Sequence, residues 1–592
     1  VLPRNLNKHL VDAVTYGNPG DSERSLAMPL QMQVDSQGRT LYVAAYGSSK
    51  IGVFNTDQLE NDTFTPSALS QIPVSGGGPA GMVLDEARGR MYVLTRFNNS
   101  IAVVNTVARA ETTSVPMYNP EPDFVVKGRP LLYDARFSSA KGDSSCSSCH
   151  LFGDNDGLAW DLGNPKERWA PNPRKYVNAT ATLLAQRANH PLKGPMTTQS
   201  FRGLEFSGPQ HWRGDRTGAT RVNGESRERA AFKQFAPAFV SLVGRPAEPT
   251  QDQMGTLADF ILQLRYPPNP IRNLDDTLTP EETVGKNVFY NKLTTGFSAL
   301  RDQFGISNAT MTTCNECHEL HPQQQRFGSS TLMSFEGLPQ DMKVPHFRNL
   351  YQKIGMFGMG SLLGTHGDKN APQVSGFGFM HDGAMDTTEH FIGASRTGQQ
   401  GFVVSPQELP GLLKFIAAED NGFAPAVGQQ FTLNRLSANA VSRVDLLVDR
   451  ALAHTRPGAE KAKRCELIAN GLIYGKSYSF LLQDNGEFAT SDSGIPTFSE
   501  SGLRSLAIEP GNSVTYTCVP PGAGARMALD RDEDGIPDGV DAVTSGVAYT
   551  SIQPSNPNAP VEVDRMETAL EHNYLLEAVQ AVLLQWPTFT TF

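Results

Sequence analysis

Cys146-Ser-Ser-Cys149-His150, echoed downstream by Cys314-Asn-Glu-Cys317-His318, decides how the rest of this chain is read. Two thiols three positions apart lie on one turn and reach the two vinyl groups of a single porphyrin as thioethers. The adjoining histidine is then delivered under the iron. A chance CxxCH is roughly a one-in-a-thousand event at this length, and two are far rarer. A zinc knuckle or a redox dithiol competes for the pattern, but zinc pairs rarely carry a histidine at both ends and stand closer in sequence. The spacing therefore predicts two covalently bound haem c groups. Cys146 and Cys149 would hold the first over axial His150; Cys314 and Cys317 would hold the second over axial His318.

The remaining two of the six cysteines, Cys465 and Cys518, flank a stretch rich in Tyr, Ser, Thr, Phe and Gly. Haem attachment and spare paired cysteines both point outside the reducing cytosol, so a Cys465–Cys518 disulfide is expected, with two free buried thiols as the alternative. The first residues, Val1-Leu-Pro-Arg, carry no Met and no apolar signal region, the look of a processed product of the periplasm, the cell surface or the medium. A length of 592 residues predicts several domains. With 51 Lys+Arg against 61 Asp+Glu, the net charge of -10 speaks against nucleic acid or an anionic membrane surface as partner. No apolar run approaches the ~18 residues that a membrane-spanning helix needs.

Upstream of the first motif the pattern is β. Leu41-Tyr-Val-Ala-Ala-Tyr-Gly-Ser-Ser-Lys-Ile-Gly-Val-Phe-Asn-Thr56 and Met91-Tyr-Val-Leu-Thr-Arg-Phe-Asn-Asn-Ser-Ile-Ala-Val-Val-Asn-Thr106 are two copies of one hairpin unit. Around and between the cysteine motifs, loops and short amphipathic helices are expected. Tyr266-Pro-Pro-Asn-Pro-Ile-Arg272 is a proline-dense linker. Thr279-Pro-Glu-Glu predicts a helix start, with Thr279 as N-cap and Pro280 at the first position. Near the C-terminus, Asp530-Arg-Asp532-Glu-Asp534-Gly535-Ile536-Pro-Asp538-Gly-Val-Asp541 follows an oxygen-cage calcium loop. Carboxylates of Asp530, Asp532, Asp534, Asp538 and Asp541 and the Ile536 carbonyl would be the ligands; an acidic surface turn is the competing reading.

The expected fold is multidomain: mainly α c-type cytochrome domains (two haem units), with an N-terminal propeller-blade-like β segment and a C-terminal β-rich insert. The divisions are 1–115 for the blades, 116–275 and 276–460 for the two haem domains, 461–545 for the insert with disulfide and calcium loop, and 546–592 for a C-terminal helix on the haem core.

The hairpin units resemble YVTN-type β-propeller repeats, which need about four to eight blades to close. Two are visible, so either a truncated propeller or hairpins that cap the haem domains directly is expected, offering a surface for protein contact. Over roughly residues 125–460 the chain resembles the di-haem cytochrome c peroxidase/MauG superfamily. The resemblance rests on Gly128-Arg-Pro-Leu-Leu-Tyr-Asp-Ala-Arg-Phe-Ser-Ser, Gln210-His-Trp-Arg-Gly-Asp-Arg216, Lys343-Val-Pro-His-Phe-Arg-Asn-Leu350 and Phe379-Met-His-Asp-Gly383, in family order with both CxxCH motifs. It implies an extracytoplasmic di-c-haem oxidoreductase whose first haem meets O2 or H2O2 and whose second exchanges electrons with a redox partner. Trp212 would lie between the haems as relay, and Arg213 and Arg216 would face propionates.

Two departures qualify that expectation. Peroxidases of the family carry a distal Glu about twenty residues after the tryptophan; here Ala230–Val240 has no carboxylate, and Phe232, Phe235 and Phe239 would line an apolar face. Losing a general acid-base costs about 10²–10⁴ in rate. In this the chain is similar to the rubber oxygenases, dioxygenases of an apolar substrate, and a non-enzymatic electron-transfer protein remains the other class. The far-side ligand of the second haem is also open: the family position falls on Ser395, and His572, by likeness to a late histidine of the rubber oxygenases, leads over His381, His390, Met385 and Met380. The insertion Met356–Gly376 would form a lid or channel wall.

Overall fold

The structure is a computed structural model that describes residues 2–10, 20–117, 119, 121–163, 168–169, 191–294, 313–318, 320–321, 326–327, 342–353, 378–381, 383, 387–394, 402–437, 441–457, 462–492, 494–495, 497–531 and 535–540. The chain divides into two units, Val1–Asp541 and Ala542–Phe592, and every described residue belongs to the first.

Two four-stranded antiparallel sheets open the chain. β1 (Pro29–Val34), β2 (Thr40–Ala45), β3 (Lys50–Asn55) and β4 (Gln71–Pro73) run in that order. So do β5 (Pro79–Asp85), β6 (Arg90–Thr95), β7 (Ser100–Asn105) and β8 (Ala110–Pro116). The two-residue side-chain period sends Tyr42, Ala44, Ile51, Val53 and Ile72 of one sheet against Met82, Met91, Val93, Ala102 and Val104 of the other. Ile51, Ile72, Met91 and Val93 are fully buried there, at about 1.5–3 kcal/mol each. Equivalent pairs, Tyr42 opposite Val53 and Tyr92 opposite Val103, show that the hairpins are one unit used twice. Neither sheet closes on itself.

After the second sheet come α1 (Asp123–Tyr133), α2 (Arg227–Lys233) and α3 (Gln251–Leu262), and, beyond the proline-dense linker, α4 (Pro280–Asn291) and α5 (Leu409–Ala417). Thr279 caps α4 as its sequence predicts: Thr279 Oγ1 accepts from the Glu282 backbone N–H, and Glu282 accepts in return from the Thr279 N–H at 2.8 Å. Helices pair within each half, α1 on α3 and α4 on α5. Both crossings need glycine. A Cβ on Gly128 would strike Phe260 and the Thr256 carbonyl, and one on Gly285 would strike the Gly411 carbonyl.

The C-terminal region is a six-stranded antiparallel sheet flanked by α6 (Ser442–Leu452) and α7 (Glu500–Ala507). Its strands, β9 (Gln430–Asn434), β10 (Glu466–Ile473), β11 (Lys476–Leu482), β12 (Glu487–Thr490), β13 (Phe498–Ser499) and β14 (Ser513–Val519), lie in the order β9-β14-β10-β11-β12-β13. Residues 430–437 and 441–452 thus pack with the sheet, ahead of the boundary at 461 that composition suggested. A five-residue strand has no local signature, and β9 is recruited by its pairing with β14, Phe431 opposite Tyr516. Val444 and Leu447 of α6 and Leu503 of α7 close one face over Phe480, Phe488 and Tyr516. Cys465 and Cys518 are disulfide-bonded in this core, both fully buried, with Cα atoms 5.8 Å apart. Arg464 ties the sheet to the linker, pairing with Asp276 at 2.8 Å and Asp420 at 2.7 Å. Among the described residues no helix is long and apolar enough to cross a membrane.

Candidate functional site

Each CxxCH motif forms one short turn. Cys146–Ser148 is a 3-10 turn whose preceding Ser145 and Ser148 cap each other reciprocally; Cys314–Cys317 is a single helical turn. Both histidines are then fixed in the same way. His150 Nδ1–H donates to the Gln199 carbonyl at 2.7 Å, and the ring stacks on Phe201 at 3.7 Å. His318 Nδ1–H donates to the Pro345 carbonyl at 2.8 Å, and its ring stacks on Phe347 at 4.0 Å. The acceptor precedes the stacking phenylalanine by two residues in both halves. A ring whose Nδ1 proton is committed to a carbonyl presents Nε2 as a lone pair, the form that an iron requires.

The donor set fits a c-type haem at the first motif, and at the second the described donors, Cys314 and His318, are of the same kind. Burial lowers His150 to about 4 against the opposing Gln199 hydrogen bond, so the ring stays neutral. Burial also pushes Cys146 up to about 12 and raises Cys149 and Cys314. These are uncharged thiols outside any disulfide, the opposite of the low-pKa cysteines of redox dithiols. Ser147, fully buried between Cys146 and Cys149, donates its hydroxyl to Met28 Sδ at 2.8 Å, which seats the first turn beneath the first sheet. The Cys317 side chain lies outside the described residues.

Trp212 and His381 occupy matching places. Each follows a residue in the left-handed region, His211 at φ 72° and Met380 at φ 66°, and each turn closes through glycine, Gly214 and Gly383. Trp212 Nε1–H donates to the Thr197 carbonyl at 2.6 Å, and His381 Nε2–H donates to the Lys343 carbonyl at 2.7 Å. The backbones cross-link reciprocally: Lys343 N–H donates to the Trp212 carbonyl at 2.7 Å, and Thr197 N–H to the His381 carbonyl at 2.8 Å. The two rings meet edge to face, centroids 4.8 Å apart, walled by Met196 and Met342.

Around Trp212, Asp215 gathers the charged residues. His211 Nδ1 lies 2.8 Å from Asp215, Arg213 2.9 Å and Arg216 3.8 Å. Burial would raise the Asp215 carboxyl, yet His211 and the two guanidiniums hold it well below the usual carboxylate range. Arg213 and Arg216, the arginines expected at propionates, both pair with Asp215. Phe232 lies 5.9 Å from Phe201 and 5.6 Å from Phe235, and Phe235 reaches His211 at 6.2 Å, so an aromatic file runs from the His150 stack to the Asp215 cluster. Phe239 packs in the same core, against Phe137.

Of the remaining expected residues, His572, Met385, Ser395, Asp532, Asp534, Asp541 and the insertion 356–376 lie outside the described residues, as does the side chain of His390. In the calcium-loop stretch, Asp530 accepts from the Gly535 N–H at 2.8 Å through one oxygen while its other oxygen is buried without a hydrogen bond, and Asp538 accepts from the Arg531 N–H. Ile536 is exposed. Among the described residues no group of three metal-ligating side chains converges.

The sequence singled out Lys343–Leu350 but not its counterpart near His150, nor the part either plays in orienting a histidine, although a signal was present. Thr198-Gln-Ser-Phe-Arg-Gly-Leu204 and Val344-Pro-His-Phe-Arg-Asn-Leu350 share Phe-Arg-x-Leu, and the variable residue is left-handed in both, Gly203 at φ 66° and Asn349 at φ 62°. The motif is internal to the chain and follows each CxxCH.

No protein-family model and no curated protein matches the chain. Among solved structures, a chain of Kuenenia stuttgartiensis hydrazine synthase pressurized with xenon is similar at 17% identity, covering 50% of this chain and 88% of that one with a TM-score of 0.30. At that score the likeness fixes neither fold nor activity.

Proposed function

We propose that this chain is a di-c-haem oxidoreductase of the cytochrome c peroxidase/MauG type that works outside the cytosol. The observation that carries the reading is the duplicated histidine geometry: two CxxCH turns, each with Nδ1 committed to a carbonyl and the ring stacked on the phenylalanine two residues on. When bound, haem c supplies one-electron transfer and, at an iron with an open position, activation of O2 or H2O2.

The chain's own residues would divide the work as follows. His150 and His318 hold the two groups; Trp212 and its neighbours fill the space between the halves. The reactive side is assigned to His150, where Phe201, Phe232 and Phe235 make an apolar, aromatic surround without a carboxylate in Ala230–Val240. That surround favours an oxidase or an apolar-substrate dioxygenase over a plain peroxidase. The His318 side is assigned to exchange with a redox partner protein. Calcium at Asp530–Asp541 would be structural, and the buried unbonded Asp530 oxygen suits a cation there. The disulfide agrees with a periplasmic, secreted or surface location.

The test is haem content and carbon monoxide binding of protein matured in an oxidising compartment. Two thioether-bound haems per chain, with one ferrous haem taking CO, are expected. Two haems that both ignore CO would reduce the reading to a non-enzymatic electron carrier, and absence of covalent haem would overturn it.

A further inference from the structure

We propose that His381 is the second half of a symmetric conduit between the two histidine sites, with Trp212 as the first half. The proposal deepens the di-haem reading and rests on it.

The conduit can be walked atom by atom. From His150, the Nδ1–H···O bond leads to the Gln199 carbonyl; the backbone leads two residues back to Thr197, whose carbonyl accepts from Trp212 Nε1–H. From His318, the Nδ1–H···O bond leads to the Pro345 carbonyl; the backbone leads two residues back to Lys343, whose carbonyl accepts from His381 Nε2–H. The two arms have the same bonds in the same order, and they meet where the rings stand edge to face at 4.8 Å. Both rings are buried, Trp212 at 9% exposure and His381 at 1%. The reciprocal backbone bonds, Lys343 to Trp212 and Thr197 to His381, hold the arms in contact, so neither ring moves without the other half.

Electron tunnelling falls off far more slowly along covalent and hydrogen bonds than across empty space, and this path has a single through-space step, the aromatic contact. One electron passes between the His318 side and the His150 side; the donor side is oxidised by one electron and the acceptor side reduced by one. No covalent bond forms or breaks, and the Trp212 and His381 ring protons stay on their nitrogens. The electron enters from an external one-electron donor of the redox-protein class. His381 is a positioning and conducting residue in this scheme. Its Nε2 is occupied by the Lys343 carbonyl and its ring by Trp212, which places it in the seam between the halves.

The experiment uses the holoprotein poised half-reduced, with an electron injected by a flash from a ruthenium-polypyridyl photoreductant and its redistribution between the haems followed by absorbance. Haem stoichiometry, spin state and mid-point potentials are measured alongside. His381→Phe keeps an aromatic ring but loses the N–H; it should slow redistribution about tenfold while leaving spin states and potentials in place. Trp212→Phe should slow it comparably, and in the double variant the two losses should not multiply, because the rings touch and either substitution breaks the same contact. His381→Gln, which keeps a polar group for the Lys343 carbonyl, serves as the gentler variant if His381→Phe does not fold, and should also slow transfer. An unchanged rate in the folded His381 variant overturns the conduit. Loss of a low-spin signal on that substitution overturns it differently, by making His381 a ligand. A wild-type protein without two thioether haems removes the di-haem reading itself, and stoichiometry reveals that before any rate is taken.

Discussion

The half built around His150 and the half built around His318 repeat the same parts in the same order. Each has a helix pair crossing at a glycine, a CxxCH turn, a Phe-Arg-x-Leu segment that fixes the histidine, and a left-handed turn that presents one ring to the other half. They differ in what surrounds those parts. In the first half the turn carries Trp212 beside the His211–Asp215–Arg213 cluster, and Tyr46 and Phe97 of the sheets pack against Tyr133 of α1 and the helix core. In the second the turn carries His381 after Met380, and the end of α5 leads into a buried Glu419 beside the linker ion pairs. Shared parts hold a histidine in one orientation; the differing parts set each half apart chemically. A duplicated scaffold with unequal surroundings is what the proposed division into reactive and electron-exchanging sides would use.

That comparison can be broken most sharply at the cysteines. Replacing Cys146 and Cys149 by serine should leave one covalent haem per chain, and the same change at Cys314 and Cys317 should remove the other, as read by haem stain and mass. If either pair abolishes both, the halves do not mature independently.

Next in size is the disulfide, which lies outside both halves. Cys465 and Cys518 close 53 residues, so reducing them should cost about 4 kcal/mol in denaturant unfolding of the sheet. Haem spectra should not change; if they do, the sheet supports the second half more directly than the ion pairs of Arg464 suggest.

The helix crossings come third. Gly285→Ala pushes a methyl into the Gly411 carbonyl, and Gly128→Ala meets the backbone-fixed Phe260 Cβ less closely, with the Thr256 carbonyl beside it. Both should destabilise, by about 3 and about 1–2 kcal/mol respectively, measured as loss of thermal stability. Equal losses would mean that the first crossing is as rigid as the second.

The most gradual effect is a pH slope. Burial, reinforced by Asp420 and opposed by Arg272, raises the Glu419 carboxyl to about 8. The native chain therefore holds a proton that the unfolded chain releases above the ordinary glutamate range. The stabilisation is complete below that range, shrinks as pH rises toward 8, and is gone above it. Wild-type stability should fall by about 1 kcal/mol per pH unit across this window, and Glu419→Gln should flatten the fall. The stretch after α3 in the first half, Gln263-Leu-Arg265, has no carboxylate to do the same.

Much of the local chemistry was legible in the residues. The cysteine-histidine spacing marks both turns, the 50-residue echo of Tyr-Val and Val-x-Asn-Thr marks a repeated hairpin, and Thr279-Pro-Glu-Glu marks a capped helix. Each depends on groups a few positions apart, whose geometry the backbone itself enforces. The β9 strand and the partners of Arg213 and Arg216 were not legible in this way. Gln430–Asn434 becomes a strand because β14 is there to pair with it, and the guanidiniums turn to Asp215 because burial makes a nearby carboxylate the strongest partner.

By itself, then, the sequence determined where two histidines are presented and which cysteines flank them, since those relations lie within single turns. Tertiary structure alone decided which carbonyl fixes His150, 49 residues away, and which fixes His318, 27 residues away. It alone brought Trp212 and His381 edge to face. A buried ring N–H must find an acceptor, and only the packing of the two halves determines which backbone oxygen is within reach.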